Sequence, residues 1–173
     1  PILSIFKTCA EKGAIRVVDP AMADNGVLYA GFAPDFPSKM ARLVDGADYI
    51  LPNLTEAALL VGEKPKLSGY TKGELESLIA KLHALGAKNV VLTGVSFSPD
   101  ELGSAVSDGS TVQYDFNPKL DKMSHGTGDV FASAFAGAVM RGMCALDAAA
   151  LHVLSEARRR QNWIGFIKLF LLC

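Results

Sequence analysis

The chain has few cysteines and no strong charge of either sign. Its three cysteines, Cys9, Cys144 and Cys173, are widely spaced and form no CxxC pair or metal-binding pattern. This usage is typical of the reducing cytoplasm, where we expect the protein to be located. The formal net charge of −1 argues against a nucleic-acid partner. No apolar stretch reaches the length of a membrane span, so we expect no membrane partner either.

Several common catalytic motifs are also absent. The sequence has no GxxxxGK[ST] P-loop, no GxSxG nucleophile elbow and no HExxH zinc motif. Half of the residues are apolar, which indicates a globular protein rather than a disordered one. A chain of 173 residues is long enough for one domain with a substantial core.

Short apolar runs alternate with longer segments of helical pattern. The runs predict strands at residues 14–18, 48–51 and 89–93, and the other segments predict helices at residues 2–12, 36–44, 55–61, 71–85, 128–141 and 145–156. Asp108 and Gly109 predict a hairpin between residues 104–107 and 111–114. This alternation is typical of the α/β class, with a mostly parallel sheet, flanking helices and one antiparallel hairpin.

Polar residues follow each predicted parallel strand. Because ligands bind beyond the carboxyl ends of such strands, their joint placement favours a metal–nucleotide site. Each also has a purely structural interpretation: Asp19 could simply end a strand, and Asn53 and Glu56 could be a helix cap and its first-turn acid. The residues concerned are Asp19 and Asp24 after the first strand, Asn53 and Glu56 after the second, and Thr93 at the end of the third.

The stretch Gly126-Thr127-Gly128-Asp129 leads directly into a predicted helix. The start of a helix offers unpaired N–H groups and a positive potential, and glycines let an anion approach closely. A carboxylate there can accept a proton from an attacking hydroxyl, which suits phosphoryl transfer to an alcohol. The alternative is a glycine-rich loop in which Asp129 is a simple helix N-terminal charge.

Three segments resemble, in this order, the pyridoxal/pyridoxine/pyridoxamine kinases of the ribokinase-like (PfkB-type) superfamily. They are VVDPAMADNG at residues 17–26, LPNLTEA at 51–57 and GTGD at 126–129. The resemblance covers residues 14–155 and implies a three-layer sandwich without its N-terminal strands. Residues 1–157 would be the C-terminal, nucleotide-binding portion of the kinase domain. Residues 158–173 would be an atypical basic and apolar tail.

The resemblance implies a vitamin B6 kinase. ATP would donate its γ-phosphoryl group to the 5′-hydroxymethyl of pyridoxal, pyridoxine or pyridoxamine. Asp129 would accept the hydroxyl proton, and the Gly126, Thr127 and Gly128 N–H groups would hold the phosphoryl group. Nucleotide and Mg²⁺ contacts would come from Asp19, Asp24, Asn53, Glu56, Thr93, Phe116 and Asn117.

Within that set, the resemblance implies that Asp24 and Glu56 are the metal residues. It names ATP and Mg²⁺ as cofactors, with K⁺ as an example of an additional monovalent cation. It also implies a homodimer for the full-length family and a chain that is inactive without the missing part. Two alternatives stay open: a hydroxymethylpyrimidine kinase of the same superfamily, and a non-catalytic fragment that binds nucleotide.

Overall fold

The structure, a computed structural model, describes residues 2–119 and 127–151, apart from the side chain of Thr127. The chain divides into two compact units, Pro1–Met123 and Ser124–Cys173. The boundary predicted between residues 157 and 158 lies outside the described ranges. Within those ranges, no helix combines the length and the apolar character needed to cross a bilayer.

The first unit contains four helices and seven strands in its described part. The helices are α1 (Ile2–Glu11), α2 (Phe36–Val44), α3 (Leu54–Leu60) and α4 (Lys72–Ala84). The strands are β1 (Val17–Val18), β2 (Ala23–Asp24), β3 (Val27–Leu28), β4 (Tyr49–Ile50), β5 (Val90–Val95), β6 (Glu101–Ser107) and β7 (Val112–Pro118).

Five of these strands form one sheet in the order β1-β4-β5-β6-β7. β1, β4 and β5 are parallel to one another, while β6 is antiparallel to both β5 and β7. β6 is therefore the one strand of this sheet that runs against the other four. The predicted combination of a mostly parallel sheet and an antiparallel hairpin is confirmed.

The main core lies on one face of this sheet. Alternate strand residues such as Ile50, Leu92 and Ala105 pack there with side chains of the α-helices, including Leu75 and Leu82. Val91, the neighbour of Leu92, belongs to the opposite face and is also fully buried. The centre of the sheet is thus buried on both faces, as its valine-rich sequence requires.

The β6–β7 hairpin is longer than the sequence predicts. It adds three residues at the start of β6 and four at the end of β7. The sequence does not predict the extension of β6, because Gly103 lies within it and glycine is a poor strand former. A Cβ at Gly103 would lie 1.9 Å from the Asp115 carbonyl oxygen, so glycine is what allows the two strands to pair so closely here.

A second hairpin, formed by β2 and β3, lies where the sequence predicts a loop. Ala23 pairs with Leu28, and Asp24 with Val27. The turn residues Asn25 and Gly26 both have positive φ, of 50° and 80°, as the Asn-Gly dipeptide favours. The turn signal was present, but two-residue strands are too short to show an alternating pattern.

The second unit is described from α5 (Thr127–Met140) to the helical residues 145–151. The helix predicted at residues 128–141 is confirmed. Phe131 and Phe135 on α5 are buried, with ring centroids 6.1 Å apart. Gly128 and Asp129, in the first turn of α5, are exposed.

Candidate functional site

The carboxyl ends of β1, β4 and β5 meet at one edge of the sheet. Leu51 N donates to the Val18 carbonyl at 2.9 Å, and Thr93 N donates to the Pro52 carbonyl at 2.9 Å. Thr93 also forms a parallel bridge with Asn53. The segments that follow the three strands therefore begin next to one another, at the edge where binding sites of parallel sheets form.

Asn53 and Glu56 form a capping box at the start of α3. Asn53 Oδ1 accepts from Glu56 N at 2.9 Å, and Glu56 Oε2 accepts from Asn53 N at 2.9 Å. Each side chain thereby satisfies a backbone N–H that the helix leaves unpaired. The structural interpretation of these two residues is confirmed, with Asn53 as the cap.

Glu56 also reaches the loop that follows β1. Its Oε1 accepts from Met22 N at 2.9 Å and from Ala23 N at 3.4 Å, and Asn53 Nδ2 donates to the Ala23 carbonyl at 2.8 Å. Glu56 is only 3% exposed. Burial raises the pKa of its carboxyl, the N–H donors oppose that rise, and the negative charge of Asp19 adds to it.

Asp19 directly follows β1 and lies beside a tight bend. Its Oδ1 accepts from Ala21 N at 3.2 Å. Ala21 has a φ of 28°, which is uncommon for a residue with a side chain. The bend turns the chain back toward α3, where Glu56 holds the next two N–H groups.

Asp24 lies at the end of β2 with an exposed side chain. Its carboxylate accepts from Asn25 N at 2.8 Å and from Asn25 Nδ2 at 3.2 Å. In the same turn, Gly26 N donates to Thr55 Oγ1 at 3.0 Å, and Thr55 is 5% exposed. Sequence reasoning missed Thr55, because a threonine in a first helical turn gives no sign of a contact 29 residues away.

Thr93 is half-buried near the end of β5. Its Oγ1 donates to the Pro52 carbonyl at 3.3 Å. The pairing of β5 with β6 is irregular between Thr93 and Val95, where Gly94 has a φ of 78°. The strand therefore stops pairing regularly at the edge that also carries Asn53.

Phe116 and Asn117 lie on β7, two strands from β5. The Phe116 ring is 5.3 Å from that of Phe97 and 6.0 Å from that of Tyr114. Asn117 Nδ2 donates to Asp115 Oδ2 at 3.1 Å. The structure thus brings Asp19, Asp24, Asn53, Glu56 and Thr93 together around the start of α3. On β7, Phe116 packs with the aromatic rings, whereas Asn117 contacts Asp115 on the opposite face of the strand.

In the second unit, Asp129 occupies the first turn of α5. Ser133 Oγ donates to the backbone carbonyl of Asp129 at 2.7 Å, so this hydrogen bond does not involve the Asp129 carboxylate. A Cβ built on Gly128 meets no atom within 4 Å among the described residues. Gly126 lies outside the described residues. The helix start therefore combines a negative side chain, a positive dipole end and open space.

The donor set suits a hydrated Mg²⁺ ion. Within the described residues no three His, Cys, Asp or Glu side chains are grouped to hold a metal. Asp24 offers an exposed carboxylate, whereas both oxygens of Glu56 already accept backbone hydrogen bonds. Mg²⁺ commonly uses one or two carboxylates and keeps several waters beside substrate phosphates. The exposed carboxylate of Asp24 fits such an ion.

Comparisons with known proteins agree with this architecture. The family model described as phosphomethylpyrimidine kinase matches residues 2–162. The pyridoxal kinase of Dictyostelium discoideum is 32% identical over 141 residues, covering 71% of this chain and 43% of that protein.

Solved structures of pyridoxal kinases share the fold. The Lactobacillus plantarum enzyme has a TM-score of 0.71 and 34% identity, covering 86% of this chain and 55% of that one. An ADP complex of Bacillus subtilis pyridoxal kinase has a TM-score of 0.66 and 27% identity, covering 84% and 55% of the two chains. The chain spans about half the length of these relatives. It belongs to the phosphomethylpyrimidine kinase family and has the ribokinase-like fold of the pyridoxal kinases.

Proposed function

We propose that this chain is the nucleotide-binding portion of an ATP-dependent kinase for pyridoxal, pyridoxine or pyridoxamine. The acceptor would be the 5′-hydroxymethyl group of the vitamin. The pyridoxal kinases among its relatives and the ADP complex of one of them support this substrate and this donor.

The observation that carries the proposal is the exposed carboxylate of Asp129 at the start of α5. Asp129 accepts the proton of the acceptor hydroxyl as the hydroxyl oxygen attacks the γ-phosphorus. The bond from the γ-phosphorus to the β,γ-bridging oxygen breaks, and ADP leaves. The N–H groups of Gly126, Thr127 and Gly128 hold the transferring phosphoryl group, and the open space at Gly128 allows its approach. Because the transition state of phosphoryl transfer is loose, catalysis is mostly positioning and charge stabilisation.

The edge of the sheet in the first unit would hold the phosphates and the metal. Asp24 and, through water, Glu56 would hold Mg²⁺, which would offset phosphate charge when bound. Asp19, Asn53 and Thr93 line the same edge and orient the nucleotide phosphates.

Phe116 and Asn117 contact the adenine or ribose of the nucleotide, from the β7 side of the sheet. A monovalent cation such as K⁺ accompanies Mg²⁺. The whole protein is a cytoplasmic homodimer. The exposed Phe97 ring, whose centroid lies 5.3 Å from that of the half-buried Phe116 ring, supports the nucleoside contact.

The test of the proposed function is Asp129→Asn. In a preparation that phosphorylates pyridoxal, this change should lower kcat roughly 10²–10⁴-fold, because the hydroxyl loses its proton acceptor. Asp147→Asn is the matched control, since Asp147 is an exposed carboxylate near the start of the next helix. Near-normal turnover of Asp129→Asn would remove Asp129 from the mechanism.

A hydroxymethylpyrimidine kinase is the second candidate, favoured by the description of the family model that matches the chain. Both substrates are ring-bearing primary alcohols, so the same phosphoryl-transfer groups would serve either. Comparing kcat/KM for pyridoxal and for the pyrimidine alcohol in one preparation separates the two. A preparation that binds ATP but phosphorylates neither alcohol would support a non-catalytic nucleotide-binding role.

A further inference from the structure

The hairpin that carries Asp24 is too small to fix its own shape. β2 and β3 are two residues long each, and even longer two-stranded hairpins are marginally stable in water. The direction in which Asp24 points must therefore be set by contacts from outside the hairpin.

The first turn of α3 supplies those contacts on both sides of the turn. On the strand side, Asn53 Nδ2 donates to the Ala23 carbonyl, and Glu56 accepts from Ala23 N. On the turn side, Gly26 N donates to Thr55 Oγ1 at 3.0 Å. Because Thr55 is 5% exposed, water competes little for this hydrogen bond.

We propose that Thr55 is a positioning residue that sets the orientation of Asp24. It acts through the backbone of Gly26, two residues beyond Asp24. The consequence for metal binding rests on the proposed function, in which Asp24 is a Mg²⁺ ligand. Replacing a group that orients a metal ligand typically lowers metal affinity roughly 10–100-fold.

The proposal is tested with Thr55→Val, which keeps the shape and removes the acceptor, and with Thr55→Ser, which keeps the hydroxyl. Thr71→Val is the matched control, because Thr71 Oγ1 accepts from Glu74 N within the start of α4. All variants are made in the whole chain.

The first measurement is amide hydrogen exchange at Gly26 relative to Leu92 in the core of the sheet. Thr55→Val should speed Gly26 exchange roughly tenfold relative to Leu92, because one hydrogen bond is lost. Thr55→Ser should restore the ratio. Thr71→Val should leave the ratio unchanged, even where it lowers overall stability.

The second measurement is the Mg²⁺ affinity in the presence of ADP, by calorimetric titration. Thr55→Val should weaken it roughly tenfold, and Thr55→Ser and Thr71→Val should keep it. Unchanged Gly26 exchange in Thr55→Val, or faster exchange with unchanged Mg²⁺ affinity, would overturn the proposal. Failure of the unmodified chain to bind Mg²⁺ and ADP would instead contradict the proposed function, and the exchange ratio would still decide whether Thr55 orders the turn.

Discussion

Two helices of this chain begin with the same local motif in different surroundings. α3 starts with the capping box of Asn53 and Glu56, and α4 starts with that of Thr71 and Glu74. Glu56 is buried and also accepts from the loop after β1, whereas Glu74 is exposed and pairs with Lys66.

The two glutamates consequently differ in the direction of their pKa shift. Burial raises the pKa of Glu56. The hydrogen bond from Lys66, aided by those from Thr71, lowers the pKa of Glu74 to about 2. The same residue type in the same helical position thus holds a loop of the candidate site in α3, whereas in α4 it only caps the start of a surface helix.

The largest expected difference between the capping boxes of α3 and α4 is in their contribution to overall stability. Glu56→Gln should lower the free energy of unfolding by about 2–3 kcal/mol, because an amide nitrogen would face buried N–H donors that need an acceptor. Glu74→Gln should change it much less, because water can replace the lost contacts. Urea unfolding of both variants measures this, and equal losses would contradict the distinction.

A smaller difference is expected at the cap residues. Asn53→Ala and Thr71→Ala should each cost about 1 kcal/mol through loss of the cap. Asn53→Ala should cost about 1 kcal/mol more, because it also removes the hydrogen bond from Nδ2 to the Ala23 carbonyl. Thermal unfolding of the two variants under identical conditions provides the comparison. A larger loss for Thr71→Ala would show that the contact with Ala23 contributes nothing.

The smallest expected effect is on the pH dependence of stability, which should have opposite signs for Glu56 and Glu74. The folded pKa of Glu56 lies above the ordinary 4.5, so the folded chain takes up that proton first. On acidification toward 4.5, the unmodified chain should gain stability relative to Glu56→Gln.

Glu74 should behave in the opposite way, because its folded pKa lies below 4.5. Its stabilising contribution is complete above 4.5 and is lost as the pH falls through about 2. Difference curves between the unmodified chain and each Gln variant, from neutral pH to about 3, measure both trends. Curves of the same sign would show that burial does not control Glu56.

Much of the fold could be predicted because local sequence patterns indicate its strands and turns. Short apolar runs indicated β1, β4 and β5, and the Asp108-Gly109 turn indicated the β6–β7 hairpin. The β2–β3 hairpin was not predicted, since strands of two residues carry no periodic signal. The sequence offered Asn53 only as a possible cap of α3, and the structure assigns it that role.

The candidate site was only partly predictable. The residues Asp19, Asn53 and Thr93 could be placed at the sheet edge, because parallel strands end together. The roles proposed for them, and for Asp129, remain predictions. That Glu56 turns inward to hold Met22 and Ala23 could not be predicted, since that contact spans 33 to 34 residues of sequence.

The sequence by itself determined the α/β alternation, the capping signals and the positions of the polar residues after each strand. These depend on interactions between near neighbours, which a local pattern records. Only the tertiary structure decided which of two similar capping boxes would be buried and which loop Thr55 and Glu56 would hold. Burial and long-range hydrogen bonds arise from packing between distant segments, and no local pattern encodes them.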